Sequence, residues 1–345
     1  MNSEGHRPGE SRRPGRDRRV ASGLILAFVA LTLVACSDPP VGSAGRPFTM
    51  YFVPSVDAQA ISSKSDELER AIEERVSERL GEKFHVETGV PASYIAVVEA
   101  LGTGKVDAAG FNTYAYVLAK HVKGYPIEPL FRIARGEDGE ETTYCGQILA
   151  RADSGIDSVE DLDGKKFAYV DAASTSGYLL PAAYLEKSGV EPSSTVFARS
   201  HNNVITMIYQ GQVEAGATYH SPAARIENED GSITEDIRDA RMRVRTQYPD
   251  VEEKIKIVAL TDEVPNEPWV IRTNLDPDPE RNRAIRDAVR EALLEFTKTE
   301  DGREALWQVA TAKALVPADD STYDGVRKLI LDSKIDLEGA LAPSE

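Results

Sequence analysis

Along most of the chain, short apolar runs alternate with longer stretches in which apolar residues recur every three or four positions. Strand-like runs lie at FTMYFV, KKFAYV and PWVIR (268–272). The first helical stretch sets Leu68, Ala71, Ile72, Val76 and Leu80 on one face and Glu and Arg on the other, and Gly81 ends it. RAIRDAVREALLEF puts Ile285, Ala288, Val289, Ala292, Leu293 and Phe296 on one side, and YDGVRKLI predicts a last helix. Strands alternating with helices predict an α/β fold with largely parallel sheets.

Part of this pattern occurs twice. YIAVVEALGTGKVDAAGFNTYAY starts at Tyr94, and HNNVITMIYQGQVEAGATYHSPA starts at His201, an offset of 107. The same offset aligns Gly104-Lys105-Val106-Asp107-Ala108 with Gly211-Gln212-Val213-Glu214-Ala215. Each copy reads as an amphipathic helix, a Gly-bearing turn, a buried strand and a polar turn. Each follows an apolar strand that runs into a Ser-bearing loop. Ligands of open α/β sheets sit at the carboxyl ends of strands, where these loops lie. Two such lobes facing each other would bring Ser55, Tyr94 and Asn112-Thr113-Tyr114 opposite Ser174–Gly177, His201 and the Thr218–Ser221 turn.

The loop after KKFAYV carries Ser174, Thr175, Ser176 and Gly177 before a helical segment. A hydroxyl there can cap the helix. Hydroxyls, free backbone N–H groups and the positive end of a helix dipole also suit an anion. Local physics leaves both readings open.

The ends and the charge narrow the class. Six arginines in residues 1–19 precede the apolar run VASGLILAFVALTLVAC, the layout of a secretory signal. Leu33-Val34-Ala35-Cys36 fits a lipobox, so cleavage after residue 35 would leave Cys36 to carry a lipid. Residues 36–46 then read as a flexible tether. The whole chain carries a net charge of −17; without residues 1–35, which hold three acids and six arginines, 54 acidic and 34 basic residues remain, a net charge of −20. Such a surface excludes nucleic acid as a partner. Cys145 is the one cysteine besides Cys36, so no intrachain structural disulfide is expected in the mature chain.

At TTYCGQILARADSGIDSVEDLDGKKFAYVDAASTSGYLLPAAYL, followed by SHNNV and GQVEAGA, the chain resembles the phosphonate/phosphite-type substrate-binding lipoproteins of ABC transporters. The resemblance implies the type II periplasmic-binding-protein fold, two Rossmann-like α/β lobes joined by two crossover strands. Lobe one would take residues 47–145 and 268–345, and lobe two 146–267. It implies that Ser174, Thr175 and Ser176 bind phosphonyl oxygens, with Tyr94 and His201 contributing. Tyrosine supplies a donor on a stiff ring, and histidine can add a proton near neutral pH. Relatives that take 2-aminoethylphosphonate hold its ammonium with two carboxylates. By match these fall on Ser221, which is not acidic, and on Glu267, which is. A smaller anion such as phosphite, methylphosphonate or phosphate is therefore expected.

The resemblance further implies an extracytoplasmic, lipid-anchored monomer that delivers its ligand to an ABC permease, with no catalysis, cofactor or metal. Cys145 reads either as a small packed residue or as a thiol ligand of a related oxyanion sensor feeding a histidine kinase, and Tyr144 beside it can face the cleft. His85, His121 and His220 lack metal-binding spacing, and no GxSxG elbow supports an esterase.

Overall fold

The computed structural model describes residues 39–333 except 56, 57, 137 and 229, together with the side chains of these residues other than 58–64. The expected signal segment 1–35 and Cys36 lie outside the described residues. Residues 39–46, expected as part of a flexible tether, are folded. Val41 is fully buried, the Gly42 N–H donates to the Arg46 carbonyl at 2.8 Å, and His85 N–H donates to the Gly42 carbonyl at 2.6 Å. Gly42 lies so close to the Phe84 ring that a Cβ would fall 2.1 Å from it, and its φ is +84°.

Two six-stranded sheets organise the fold. The first runs Ala314–Val316, Ile127–Ala134, Pro268–Arg272, Ala108–Gly110, Phe48–Phe52, Val86–Gly89. The second runs Ile255–Leu260, Thr143–Arg151, Ala215–His220, Lys166–Tyr169, Ser194–Phe197, with Val264–Pro265 paired to the start of Thr143–Arg151. In each sheet three parallel strands adjoin an antiparallel one. The chain passes from the first sheet to the second between Ala134 and Thr143 and returns after Pro265. The two crossover segments pair there, Val264 opposite Tyr144 and Pro265 opposite Thr143.

The amphipathic faces pack as their spacing requires. Helix Ala58–Leu80 buries Leu68, Ala71, Ile72 and Val76. Helix Pro279–Phe296 buries all six apolar positions of its stripe. Burial of each large side chain contributes roughly 1.5–3 kcal/mol, and both helices seat on one core with Phe48, Met50 and Phe52. A second apolar cluster joins the lobes, with Tyr94, Phe111 and Tyr114 packed in one group with Val170, Ala173 and Leu179.

The internal repeat has a structural cause. Helices Tyr94–Gly102 and His201–Tyr209 hold equivalent places, capped by Ser93 (φ −150°, ψ 162°) and Ser200 (φ −146°, ψ 158°). Gly104 and Gly211 take φ of +73° and +69°, which explains the shared glycine. Asp107 accepts the Thr49 N–H at 3.2 Å and Glu214 accepts the Lys166 N–H at 2.9 Å, so each acid ties its turn to the neighbouring strand.

Candidate functional site

Four helical starts point into the space between the sheets. Ser93 Oγ accepts the Ala96 N–H, and Ser200 Oγ accepts the Asn203 N–H. Asn112 Oδ1 accepts the Ala115 N–H at 2.9 Å at the head of Thr113–Val117. Ser174 Oγ accepts the Gly177 N–H at 3.1 Å at the head of a wide turn, Thr175–Leu179, that feeds helix Leu180–Ser188. Ser174 is thus a cap, as are Ser93, Asn112 and Ser200 at the other three starts.

Between them lies a cavity of about 70 Å³. Since a water needs only ~10–15 Å³ by this measure, the space suits a compact ligand of a few heavy atoms. Ser55, Tyr94, Asn112, Tyr144, Ser174, Thr175, Ser176, His201 and Glu267 line it, as do Arg135 and Tyr219. Phe52, Ile133, Trp269 and Val309 form an apolar wall.

Four expected site residues fall outside this lining. Gly177 is a packing glycine, because a Cβ there would lie 2.4 Å from Val170 Cγ2. Thr113 is fully buried and its hydroxyl donates to the Pro265 carbonyl at 2.9 Å. Tyr114 is fully buried in the shared core, although its backbone N–H reaches Thr175. Ser221 follows the end of strand Ala215–His220, and Tyr219 of that strand is the lining residue instead.

The lobes are tied directly across the cavity. Thr175 Oγ1 donates to Asn112 Oδ1 and accepts the Tyr114 N–H, both at 2.8 Å. The His201 N–H donates to the Ser55 carbonyl at 3.4 Å. In the matching position, the Asp171 carboxylate accepts N–H groups of Ala173 and Tyr94, and burial is the largest influence on it, pushing its pKa up.

The electrostatics differ from expectation at His201. His201 was expected to add charge near neutral pH. Its Nδ1 instead accepts the Tyr219 N–H at 3.3 Å, and burial pushes its pKa down to about 3. The ring is neutral, with its proton on Nε2, and acts as a donor without charge. Glu267 matches a carboxylate that holds an ammonium in some relatives. It is instead held by both terminal nitrogens of Arg135 at 3.0 Å each. Sequence reasoning missed Arg135, a buried guanidinium that also contacts Asn266 Oδ1 at 3.1 Å and stacks 5.7 Å over the Tyr144 ring. The neighbouring Glu267 keeps it charged against the effect of burial. Burial raises the hydroxyl pKa values of Tyr94 and Tyr144, so both remain protonated donors.

Some donors are unused. Asn112 Nδ2 and Arg135 Nε are buried without a partner. Hydroxyls, a neutral imidazole and helix starts around a small space suit a small oxyanion. Cys145 does not line the cavity. It pairs in register with His220, and burial pushes its thiol up to about 11. Among the described residues no group of His, Cys, Asp and Glu could hold a metal ion, and no helix is long and apolar enough to cross a membrane.

Two α/β lobes, two crossover segments and a polar cavity between them define the type II class of periplasmic binding protein. The chain belongs to the family described as "ABC transporter, phosphonate, periplasmic substrate-binding protein", whose family model matches residues 50–323. It is 32% identical over 210 residues to the "Phosphate-import protein PhnD" of Mycolicibacterium smegmatis, covering 56% of this chain and 63% of that protein. The chain spans about three fifths of the length of the curated relatives it matches. A binding protein component of an ABC phosphonate transporter from Pseudomonas aeruginosa superposes with a TM-score of 0.66 at 20% identity, covering 89% of this chain and 90% of that one. PhnD1 from Prochlorococcus marinus in complex with methylphosphonate gives a TM-score of 0.64 at 17% identity, covering 82% and 96%.

Proposed function

We propose that this protein is the extracytoplasmic binding component of an ABC importer and captures a small phosphorus oxyanion between its lobes. One observation carries the reading. Asn112 and Arg135, each with a buried N–H that has no partner, line a cavity together with Tyr94, Ser174, Thr175, Ser176 and the neutral His201. An unpaired buried donor costs about 1–3 kcal/mol, which a bound oxyanion would recover. The names of the phosphate-import relative and of the methylphosphonate complex agree with this chemistry.

The ligand we infer is phosphite, methylphosphonate or phosphate. Glu267 is already matched by Arg135, and Ser221 lies outside the cavity, so no free carboxylate pair awaits an ammonium. The protein performs no chemistry, is anchored to the outer face of the cell membrane through a lipid on Cys36, acts as a monomer and hands its ligand to permease subunits. A thiol-based sensor gains no support from Cys145, which is outside the lining and poorly ionised.

The test is calorimetric titration of the chain from residue 37 onward with phosphite, phosphate, methylphosphonate, 2-aminoethylphosphonate, sulfate and arsenite. Tight, one-site binding of a phosphorus anion is expected. Binding of none of them, or of arsenite alone, overturns the reading.

A further inference from the structure

The cavity lining includes Thr311, which ends helix Glu300–Ala310 of lobe one with φ +51° and ψ +39°. This left-handed backbone favours glycine, and only Arg199 shares a positive φ among the described non-glycine residues. Keeping a β-branched residue there is explained by what its side chain does. Thr311 Oγ1 accepts a hydrogen bond of 2.5 Å from Nη2 of Arg243, a residue of lobe two. Arg243 does not line the cavity; Tyr219 does, and its buried hydroxyl has no hydrogen-bond partner. The link joins a 3-10 segment of lobe two, Ala240–Val244, to the end of a lobe-one helix, bridging residues 68 positions apart. It lies apart from the polar ties at Thr175 and His201 in the sequence of both lobes.

We propose that Arg243 and Thr311 form a rim latch that retains the ligand. Arg243 is a positioning residue: it draws the Thr311 end of lobe one against lobe two. The bond exists only when the lobes are together, so it acts on release and leaves capture unchanged. The inference rests on the proposed oxyanion function, because it deepens how that site holds its ligand.

The test is stopped-flow measurement of association and release with methylphosphonate and inorganic phosphate, using wild type, Thr311→Val, Thr311→Ser, Arg243→Gln and the double variant Thr311→Val/Arg243→Gln. Thr311→Val keeps shape and backbone strain but removes the hydroxyl. A partly exposed hydrogen bond to a charged group predicts roughly tenfold faster release, with association within about twofold. Thr311→Ser restores slow release, a result that a purely structural role of the threonine methyl would not give. The double variant releases no faster than the faster single variant, because one shared contact is lost once. Release unchanged in Thr311→Val, or additive effects in the double variant, overturns the latch. Wild type that binds neither anion overturns the proposed function itself, and the two failures are thereby distinct.

Discussion

Neutral His201 has a measurable consequence for stability. In the unfolded chain its imidazole titrates near 6.5, whereas burial holds it down to about 3 in the fold. The unfolded state therefore binds more protons between these values, and stability falls as pH falls. The contribution is fully present above 6.5 and is lost progressively toward 3. One pH unit corresponds to about 1.36 kcal/mol, so lowering pH from 7 to 4.5 removes about 2.5 kcal/mol through this residue. His201→Gln keeps an acceptor for the Tyr219 N–H and a donor for the cavity but cannot titrate. Urea unfolding of ligand-free wild type and variant across this range isolates the difference, since His220 and the carboxylates contribute equally to both. The variant should lose about 2.5 kcal/mol less than wild type on acidification, with unchanged m-values. Parallel pH profiles would refute the buried neutral ring and restore a charged histidine to the site.

Three other outcomes follow from the geometry. Asn112→Asp keeps the oxygen that caps Thr113–Val117 but replaces the unused Nδ2 donor with a negative oxygen; titration should show methylphosphonate or phosphate affinity falling at least 100-fold, from a lost charge-assisted bond of about 1.5–3 kcal/mol plus repulsion, while circular dichroism stays that of wild type. Glu267→Gln strands the buried Arg135 guanidinium, so denaturant melts should show a loss of about 3–5 kcal/mol, and phosphate should bind more tightly at low salt. Gly177→Ala drives a Cβ into Val170 and should cost about 1–3 kcal/mol of stability by thermal melting.

Much of this molecule is written locally. The stripe from Ile285 to Phe296 and the duplicated glycine-turn-acid units are set by contacts within a few residues or by one neighbouring strand, so their spacing reveals them. The same holds for Ser174, whose capping bond spans three residues. Arg135 was not legible, because its partner Glu267 is 132 positions away and meets it only where the two crossover segments come together. No motif marks a cation made silent by a distant acid. Residues 39–46 look like a linker in composition, yet Val41 and Gly42 fit against Phe84, a contact that composition does not encode. Gly177 stands in a run that reads as anion-binding, and only the approach of Val170 reveals its packing role. The charge state of His201 was misread for the same reason: a sequence gives the ring but not the depth at which it sits.

The matched caps of Ser93 and Ser200 make Tyr94 and His201 equivalent first helical residues, and both line the cavity, one from each copy of the repeat. Two equivalent helix starts suit a guest that can present alike groups to both. A tetrahedral anion has two-fold axes of its own, so one pair of oxygens can meet one lobe while the second pair meets the other. Under the proposed function each lobe would hold half of the guest, and neither half-site would be complete with the lobes apart. Replacing one oxygen by hydrogen or methyl breaks the guest's symmetry, and the pairing of the site is broken where tyrosine stands opposite histidine. Under the proposed function, the 107-residue repeat would supply a frame for a generic tetrahedron, and the positions where the two copies differ would be where one tetrahedron is told from another.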